Sequence, residues 1–292
     1  MSFPENLQAI IESDYPLAPL VWFGIGGPAQ YFARPSSVEQ LADLVQSARA
    51  QSIPVRILGS GSNVLVRESG VDGLVISMEQ IERADPKVDG EKLICSAGTK
   101  LTSAVLAAVG ASLGGLEHLI GIPGTVGAAV IGNVSHGGRD IGSLVDSVSV
   151  IDGEGKTARI SGEEISFGHR KSSLGGVVLT EVTFALSTKP VETVTKRMQK
   201  LWIGRNASLP EEERRISMPF VDPESMPAAD LIVQVGMAGA RQGNASGASS
   251  NAEYLIAHAG ATADDVLQLV DRVRSQVLLQ TGIDLQLNLQ VW

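Results

Sequence analysis

Two strand-like runs, Pro54-Val55-Arg56-Ile57-Leu58 and Val64-Leu65-Val66, are joined by the short loop Gly59-Ser60-Gly61-Ser62-Asn63, and this loop constrains the chain more than any other segment. Glycines at Gly59 and Gly61 let the backbone turn through positive φ and approach a ligand closely, and successive N–H groups can form an anion-binding nest. Ser60, Ser62 and Asn63 add neutral donors, a set suited to a pyrophosphate. An ordinary glycine–serine turn accounts for the same residues. The loop is not a Rossmann fingerprint, because no helix is expected to start here and the G-x-G-x-x-G spacing is absent.

The flanking pattern supports an α/β arrangement. Val38, Leu41, Leu44, Val45 and Ala48 recur at helical spacing, and the strand-like run at Pro54 follows at once. Short strands are expected at Leu74–Ile76, Leu93–Cys95, Ser147–Asp152, Thr157–Ile160 and Val177–Leu186, with a helix over Thr102–Val109. The pattern breaks at Thr188-Lys189-Pro190, where a helix over Val191–Ile203 begins. Further on, Val266, Leu267, Leu269, Val270, Val273 and Val277 predict an amphipathic helix over Ala263–Thr281, closed by Gly282, and a terminal strand over Asp284–Trp292. Thr262 with Asp264 and Asp265 has the chemistry of a helix cap.

A second loop, Gly121-Ile122-Pro123-Gly124-Thr125-Val126-Gly127, lines up small residues that admit something flat and large, such as a nucleotide or flavin ring. A close helix–strand crossing is the plainer explanation of this loop taken alone. The chain carries 32 glycines, 43% hydrophobic and only 4% aromatic residues, which fits a loop-rich α/β protein of two domains rather than a helical bundle.

The net charge of −9 argues against a nucleic-acid backbone as partner, since phosphate contacts need clustered Lys and Arg. Glu211-Glu212-Glu213 with Arg214-Arg215 reads as a solvated face. The lone Cys95 excludes an internal disulfide and reads as a buried thiol in a strand. No basic, apolar leader and no span of roughly 18 to 20 apolar residues is present, so a cytoplasmic location without a membrane partner is expected. His118 and His258 have no second ligand at metal spacing and read as structural; His136 reads as either a neighbour of the site or a plain loop residue.

Taken together, Phe23-Gly24-Ile25-Gly26-Gly27-Pro28-Ala29, Leu58–Val66, Gly115-Leu116-Glu117 with Gly121–Ala129, and Phe167-Gly168-His169-Arg170-Lys171-Ser172 resemble the UDP-N-acetylenolpyruvoylglucosamine reductase (UDP-N-acetylmuramate dehydrogenase, MurB) family. The resemblance runs from about Phe23 to the C-terminus. It implies a mixed α/β, α+β chain. An FAD-binding domain of the vanillyl-alcohol-oxidase (PCMH) type over 1–190, with subdomains of about 1–60 and 61–190, would precede a smaller α/β substrate domain over 191–292.

It also implies FAD as cofactor, NADPH as reductant, a UDP-sugar enolpyruvyl ether as substrate and a role in peptidoglycan precursor synthesis, with no protein partner. Gly59, Ser60, Gly61, Ser62 and Asn63 would cradle the pyrophosphate. Ile122, Pro123, Gly124, Thr125, Gly127, Asn133 and Ile141 would line the cofactor.

The family's catalytic positions are only partly matched. Arg170 stands where the family has a substrate-clamping arginine, a role its planar fork suits, and His169 stands for the tyrosine before it. Met218 falls on the catalytic serine, with Ser217 one residue earlier, and a thioether has no proton to give. Asn288 falls on the family glutamate, while Asn251 and Ala257 replace a histidine and an asparagine. The alternative implied by these departures is a flavin-binding paralogue without the reductase activity, serving as a regulatory protein or acting on another substrate.

Overall fold

The structure, a computed structural model, describes residues 3–81, 85–210 and 215–292. The expectation for Glu211–Arg214 therefore lies outside the described residues. The chain forms two compact units, each discontinuous in sequence. The first gathers residues to Ser13, Gln30–Ser60 and Asp72–Asn206, and the second Asp14–Ala29, Gly61–Val71 and Ala207–Trp292.

The first unit contains a small sheet in which Val55–Leu58 pairs in parallel with Val71–Ser77. The helix Val38–Ala50 precedes it. Ser37 caps that helix by accepting the Gln40 N–H, and Leu41, Leu44, Val45 and Ala48 fall on the buried face that the periodicity predicts. A five-stranded antiparallel sheet follows, in the order Thr157–Ser161, Val145–Ile151, Val178–Ala185, Lys92–Ser96 and Lys87–Asp89. Its central strand is buried along most of its length, so Thr180 and Thr183 are buried together with the apolar residues around them.

Cys95 lies in this sheet, and burial pushes its thiol up to about 12, so it stays protonated and inert. The helix Leu101–Gly110 buries Leu101, Ala104, Val105, Ala108 and Val109 in the same core.

The expected helix at Val191 runs further than its pattern suggests, to Ser208, with Val194 alone among its residues fully buried. A mostly exposed helix shows little apolar periodicity, so its end is hard to read from sequence.

In the second unit, a four-stranded sheet in the order Ile216–Ser217, Leu255–Ala257, Ala245–Gly247 and Arg241–Gln242 shares a core with the helix Ala263–Thr281. Val266, Leu269, Val270, Val273 and Val277 of that helix are buried, and Gly282 closes it at φ 74°. At its start Thr262 accepts the Asp265 N–H at 3.1 Å while the Asp265 carboxylate accepts the Thr262 N–H at 3.1 Å. The sequence suggests a cap from Thr262 with Asp264 and Asp265, and the structure makes it reciprocal through Asp265.

The terminal strand is much shorter than expected: only Gln290–Val291 is a strand, parallel to Val64–Leu65. Before it, residues 286–288 meet 219–221 through a single bridge, Phe220 to Leu287, flanked by Val221 N–H to Gln286 and Asn288 N–H to Pro219. Pro219 has no N–H to donate, so the ladder stops there.

Replacing Thr262 by alanine is expected to lower the unfolding free energy by about 1 kcal/mol. Urea denaturation followed by circular dichroism should show a lower midpoint at an unchanged slope. An unmoved midpoint would mean that the cap contributes nothing.

Candidate active site

In the first unit, the two glycine loops meet. Gly59 follows the strand Val55–Leu58, and a Cβ built on it would lie 2.8 Å from Thr125 Oγ1 and 3.7 Å from Ala128 Cβ. Thr125 caps the short helix Val126–Ile131 by accepting the Ala128 N–H. Gly127 donates its N–H to Ala97 at 2.8 Å, and a Cβ there would meet the Ala97 Cβ at 2.8 Å. The close crossing inferred as an alternative for this loop is real, and it coexists with a juxtaposition of Gly59 and Thr125. Gly124, at φ 135°, accepts the Leu101 N–H, and Ile122 donates to the Leu119 carbonyl. Pro123 is exposed between them.

Ser60, at the end of the unit's share of the first loop, has its Oγ buried with no hydrogen-bond partner. A buried hydroxyl without a partner costs roughly 1–3 kcal/mol. A phosphate oxygen brought to this loop would satisfy it, so the donor set fits the pyrophosphate of a dinucleotide cofactor.

A second pair of predicted positions is joined by Asn133, which is 2% exposed. Its Oδ1 accepts the Gly142 N–H at 3.0 Å and its Nδ2 donates to the Gly168 carbonyl at 2.8 Å. Gly168 belongs to the hairpin pairing Phe167–Gly168 with Lys171–Ser172, and His169 and Arg170 form its turn. On the far side Ser172 Oγ donates to the Ile131 carbonyl at 2.8 Å.

Arg170 is thus held at the tip of a hairpin tied down on both arms. Its φ of 55° is a left-handed conformation that costs a non-glycine residue roughly 1–2 kcal/mol. Ile141 is 0% exposed, and its side chain belongs to the hydrophobic core. Its N–H donates to Val134 and its carbonyl accepts from Leu144. His136, on the strand Ser135–His136, is held below the usual histidine range by burial and then by neighbouring cations, Arg205 and Arg170 among them, which favours its neutral form.

The second unit gathers the other predicted residues. Gly61, at φ 66°, passes so near the Leu20 carbonyl that a Cβ would lie 2.2 Å from its oxygen, and its own carbonyl accepts the Trp22 N–H. Ser62 beside it is half-buried. Asn63 Nδ2 donates to the Asn288 carbonyl at 2.7 Å, and Asn288 Nδ2 donates to the Met218 carbonyl at 3.3 Å. Ser217, paired with Leu255 in the sheet, has a buried Oγ with no hydrogen-bond partner.

Asn63, Asn288 and the Met218 carbonyl therefore lie along one hydrogen-bonded path, with Ser217 next to Met218 in the chain. Asn251 and Ala257 do not join it: Asn251 donates to the Ser208 carbonyl and accepts from Glu253, and Ala257 is buried in a strand. His258 pairs with Ser246, Nε2 to Oγ at 2.8 Å.

One group was carried in the sequence only as part of a motif. Glu117 is 2% exposed, accepts the Gly115 N–H at 2.5 Å and pairs with Arg197 of the helix Val191–Ser208 at 3.1 Å. Eight residues along that helix, Arg205 brings its Cδ to 3.0 Å from the place a Gly121 Cβ would occupy. The buried carboxylate thus pins a helix that also touches the second glycine loop. Only tertiary contact pairs Glu117 with Arg197, and no spacing rule reaches across 80 residues.

Residues 29–161 match the FAD binding domain family, and residues 209–292 match the C-terminal domain of UDP-N-acetylenolpyruvoylglucosamine reductase. A UDP-N-acetylenolpyruvoylglucosamine reductase from Rhodopirellula baltica is 52% identical over 99% of this chain and 95% of its own length. The chain belongs to the UDP-N-acetylenolpyruvoylglucosamine reductase family. The family member from Moorella thermoacetica is 38% identical over 98% of the chain and 95% of its own. The crystal structure of the Thermus caldophilus reductase superposes with a TM-score of 0.82 at 32% identity, covering 97% of this chain and 98% of that one. Membership accounts for the mixed α/β fold, for an FAD domain without a Rossmann motif, and for a distinct C-terminal domain. Among the described residues no helix is long and apolar enough to cross a membrane.

The Glu117 carboxyl is held below its usual range. Burial acts to raise it, and is outweighed by the Gly115 N–H, its own backbone N–H and the charges of Arg197 and Lys189. A carboxyl whose folded pKa lies below its unfolded one contributes stability that is complete above the unfolded value and is lost as pH falls through the folded value. Glu117→Gln is expected to destabilise by about 1–3 kcal/mol at pH 7. The difference from the parent should shrink as pH drops below about 4, where the parent carboxyl also takes up a proton. A difference that persists undiminished in acid would assign the effect to shape rather than charge.

Proposed function

We propose that the chain is an FAD-dependent reductase that takes hydride from NADPH to the enolpyruvyl ether of a UDP-sugar, a step of peptidoglycan precursor synthesis. The observation that carries this reading is the meeting of Gly59 with Thr125 beside the buried, unpartnered Ser60 hydroxyl. Small residues from the two loops meet there beside a buried hydroxyl, and a glycine turn of this kind can present its backbone N–H groups to a pyrophosphate.

When bound, FAD supplies the hydride chemistry between the nicotinamide and the substrate double bond. Gly59, Ser60, Gly61, Ser62 and Asn63 would hold its pyrophosphate, and Ile122–Thr125, Gly127, Asn133 and Ile141 would lie along it. Arg170, fixed by Asn133 and Ser172 through its hairpin, is the bidentate partner for the substrate carboxylate, with His169 next to it in the turn.

The protonation step falls to Ser217. Met218 offers no proton, and its carbonyl is engaged by the Asn288 amide, which makes Asn288 a positioning residue rather than an acid. The Ser217 hydroxyl is one residue away, buried and without a partner. Proton transfer by a positioned side chain is worth about 10²–10⁴ in rate.

A second reading, a flavin-binding paralogue without this activity, is favoured by Met218 and Asn288 standing where the family has a serine and a glutamate. The purified protein should show flavin absorption that bleaches with NADPH and recovers on adding UDP-N-acetylenolpyruvoylglucosamine. Ser217→Ala should lower turnover about 10²–10⁴-fold with flavin content unchanged. Flavin that bleaches and does not recover with substrate would sink the reductase reading and leave the paralogue. Undiminished turnover in Ser217→Ala would remove the serine from the mechanism.

A further inference from the structure

Outside the residues assigned to cofactor and substrate, the first unit carries a cavity of about 390 Å³. Its wall includes Gly114, Gly115, His118, Arg139, Asp140 and Lys189. That volume is within the range of small-molecule sites. The cavity is built rather than incidental, because its floor depends on two adjacent glycines. A Cβ on Gly114 would lie 2.7 Å from Lys189 Cδ, so only glycine lets the lysine stem lie across it. Gly115 sits at φ 142°, a conformation that L side chains rarely adopt.

From that position Gly115 directs both of its backbone groups. Its N–H is taken by the Glu117 carboxylate, and its carbonyl lies 2.8 Å from His118 Nδ1. A carbonyl only accepts, so Nδ1 carries the hydrogen, and in the neutral ring Nε2 holds the lone pair. His118 is 3% exposed and its Nε2 has no hydrogen-bond partner. The cavity therefore combines a buried imidazole lacking one partner with two cationic side chains. Its one carboxylate is Asp140, whose Oδ1 accepts the Ser143 N–H at 3.0 Å, and the two cationic side chains outnumber it. Glu117, next in the chain, is matched by Arg197.

We propose that this cavity is an anion site that takes a phosphoryl or sulfate-like group, with Arg139 and Lys189 as its cationic contacts and His118 as its buried wall.

Two tetrahedral-oxyanion sources fit the chemistry equally, a phosphoryl group of a nucleotide ligand and free phosphate. The buried histidine gives the site a proton-linked signature. Burial, and then Arg139 and Arg197, hold His118 below the usual range, opposed by the Gly115 carbonyl and Glu117. His136 on the adjoining hairpin is the other titratable group coupled to it. An anion arriving in the cavity supplies the missing counter-charge, so binding and protonation of His118 favour each other.

Sulfate is the probe of choice, because it does not itself titrate near neutral pH. The chain has four histidines, and ring-proton NMR of the purified protein resolves them by subtraction. The signal that survives in each of His136→Gln, His169→Gln and His258→Gln is His118. At constant ionic strength in chloride, added sulfate should shift that signal saturably and raise its pKa. Arg139→Gln with Lys189→Gln, both at exposed positions, should weaken the apparent affinity about tenfold or more while circular dichroism shows the chain still folded.

Competition by UDP, adenosine 2′,5′-bisphosphate and inorganic phosphate then separates the sources: displacement at lower concentration by either nucleotide names a ligand phosphoryl group, and by inorganic phosphate a free effector. A His118 signal that responds to sulfate no more than to chloride overturns the proposal. So does a saturable response that the double substitution leaves unchanged.

Discussion

A Cβ on Gly127 would press into Ala97 at 2.8 Å, and one on Gly59 would press into Thr125 at the same distance. These two contacts set the spacing on which the candidate cofactor site depends. The first seats the helix Val126–Ile131 on the strand end at Ala97, where the Gly127 N–H also reaches the Ala97 carbonyl. The second brings the end of the parallel strand Val55–Leu58 against the cap of that helix. Side chains at either point would push the two loops apart by about the width of a methyl group. Packed interiors absorb such a change poorly.

The same economy of side chains recurs at Gly114 and Gly115. There, the removal of two Cβ atoms lets Lys189 lie across the backbone and lets one peptide serve Glu117 and His118 together. Glu117 then fixes the helix Val191–Ser208, whose Arg205 reaches the Gly121 turn. Polar anchoring of this kind concentrates stability in a few charge-assisted bonds, which gives the unit a pH-dependent seam in an otherwise apolar core.

Several elements were legible because their signals are local. The helix Ala263–Thr281 was readable to the residue: its valines and leucines mark one face, Thr262 and Asp265 cap each other, and Gly282 takes the left-handed turn. Cys95 was readable as a buried thiol from its apolar strand. The terminal strand was not, because its length is decided by a partner: Pro219 lacks the N–H that a longer ladder needs. The end of the helix beginning at Val191 was equally obscure, since Val194, Met198 and Leu201 pack on the core but no residue from Trp202 to Ser208 is buried to mark where the helix stops.

The sequence by itself determined the family and the two glycine loops with their small, neutral donors. Each is a matter of residue type at a position, and needs no neighbour to be read. Tertiary structure alone decided that Gly59 touches Thr125, that Asn133 ties the Arg170 hairpin, and that Asn288 holds the Met218 carbonyl. It also decided that the Ser60, Ser217 and His118 side chains keep a buried polar atom without a partner. A missing hydrogen bond is a property of everything surrounding an atom, so no order of residues along the chain can display it.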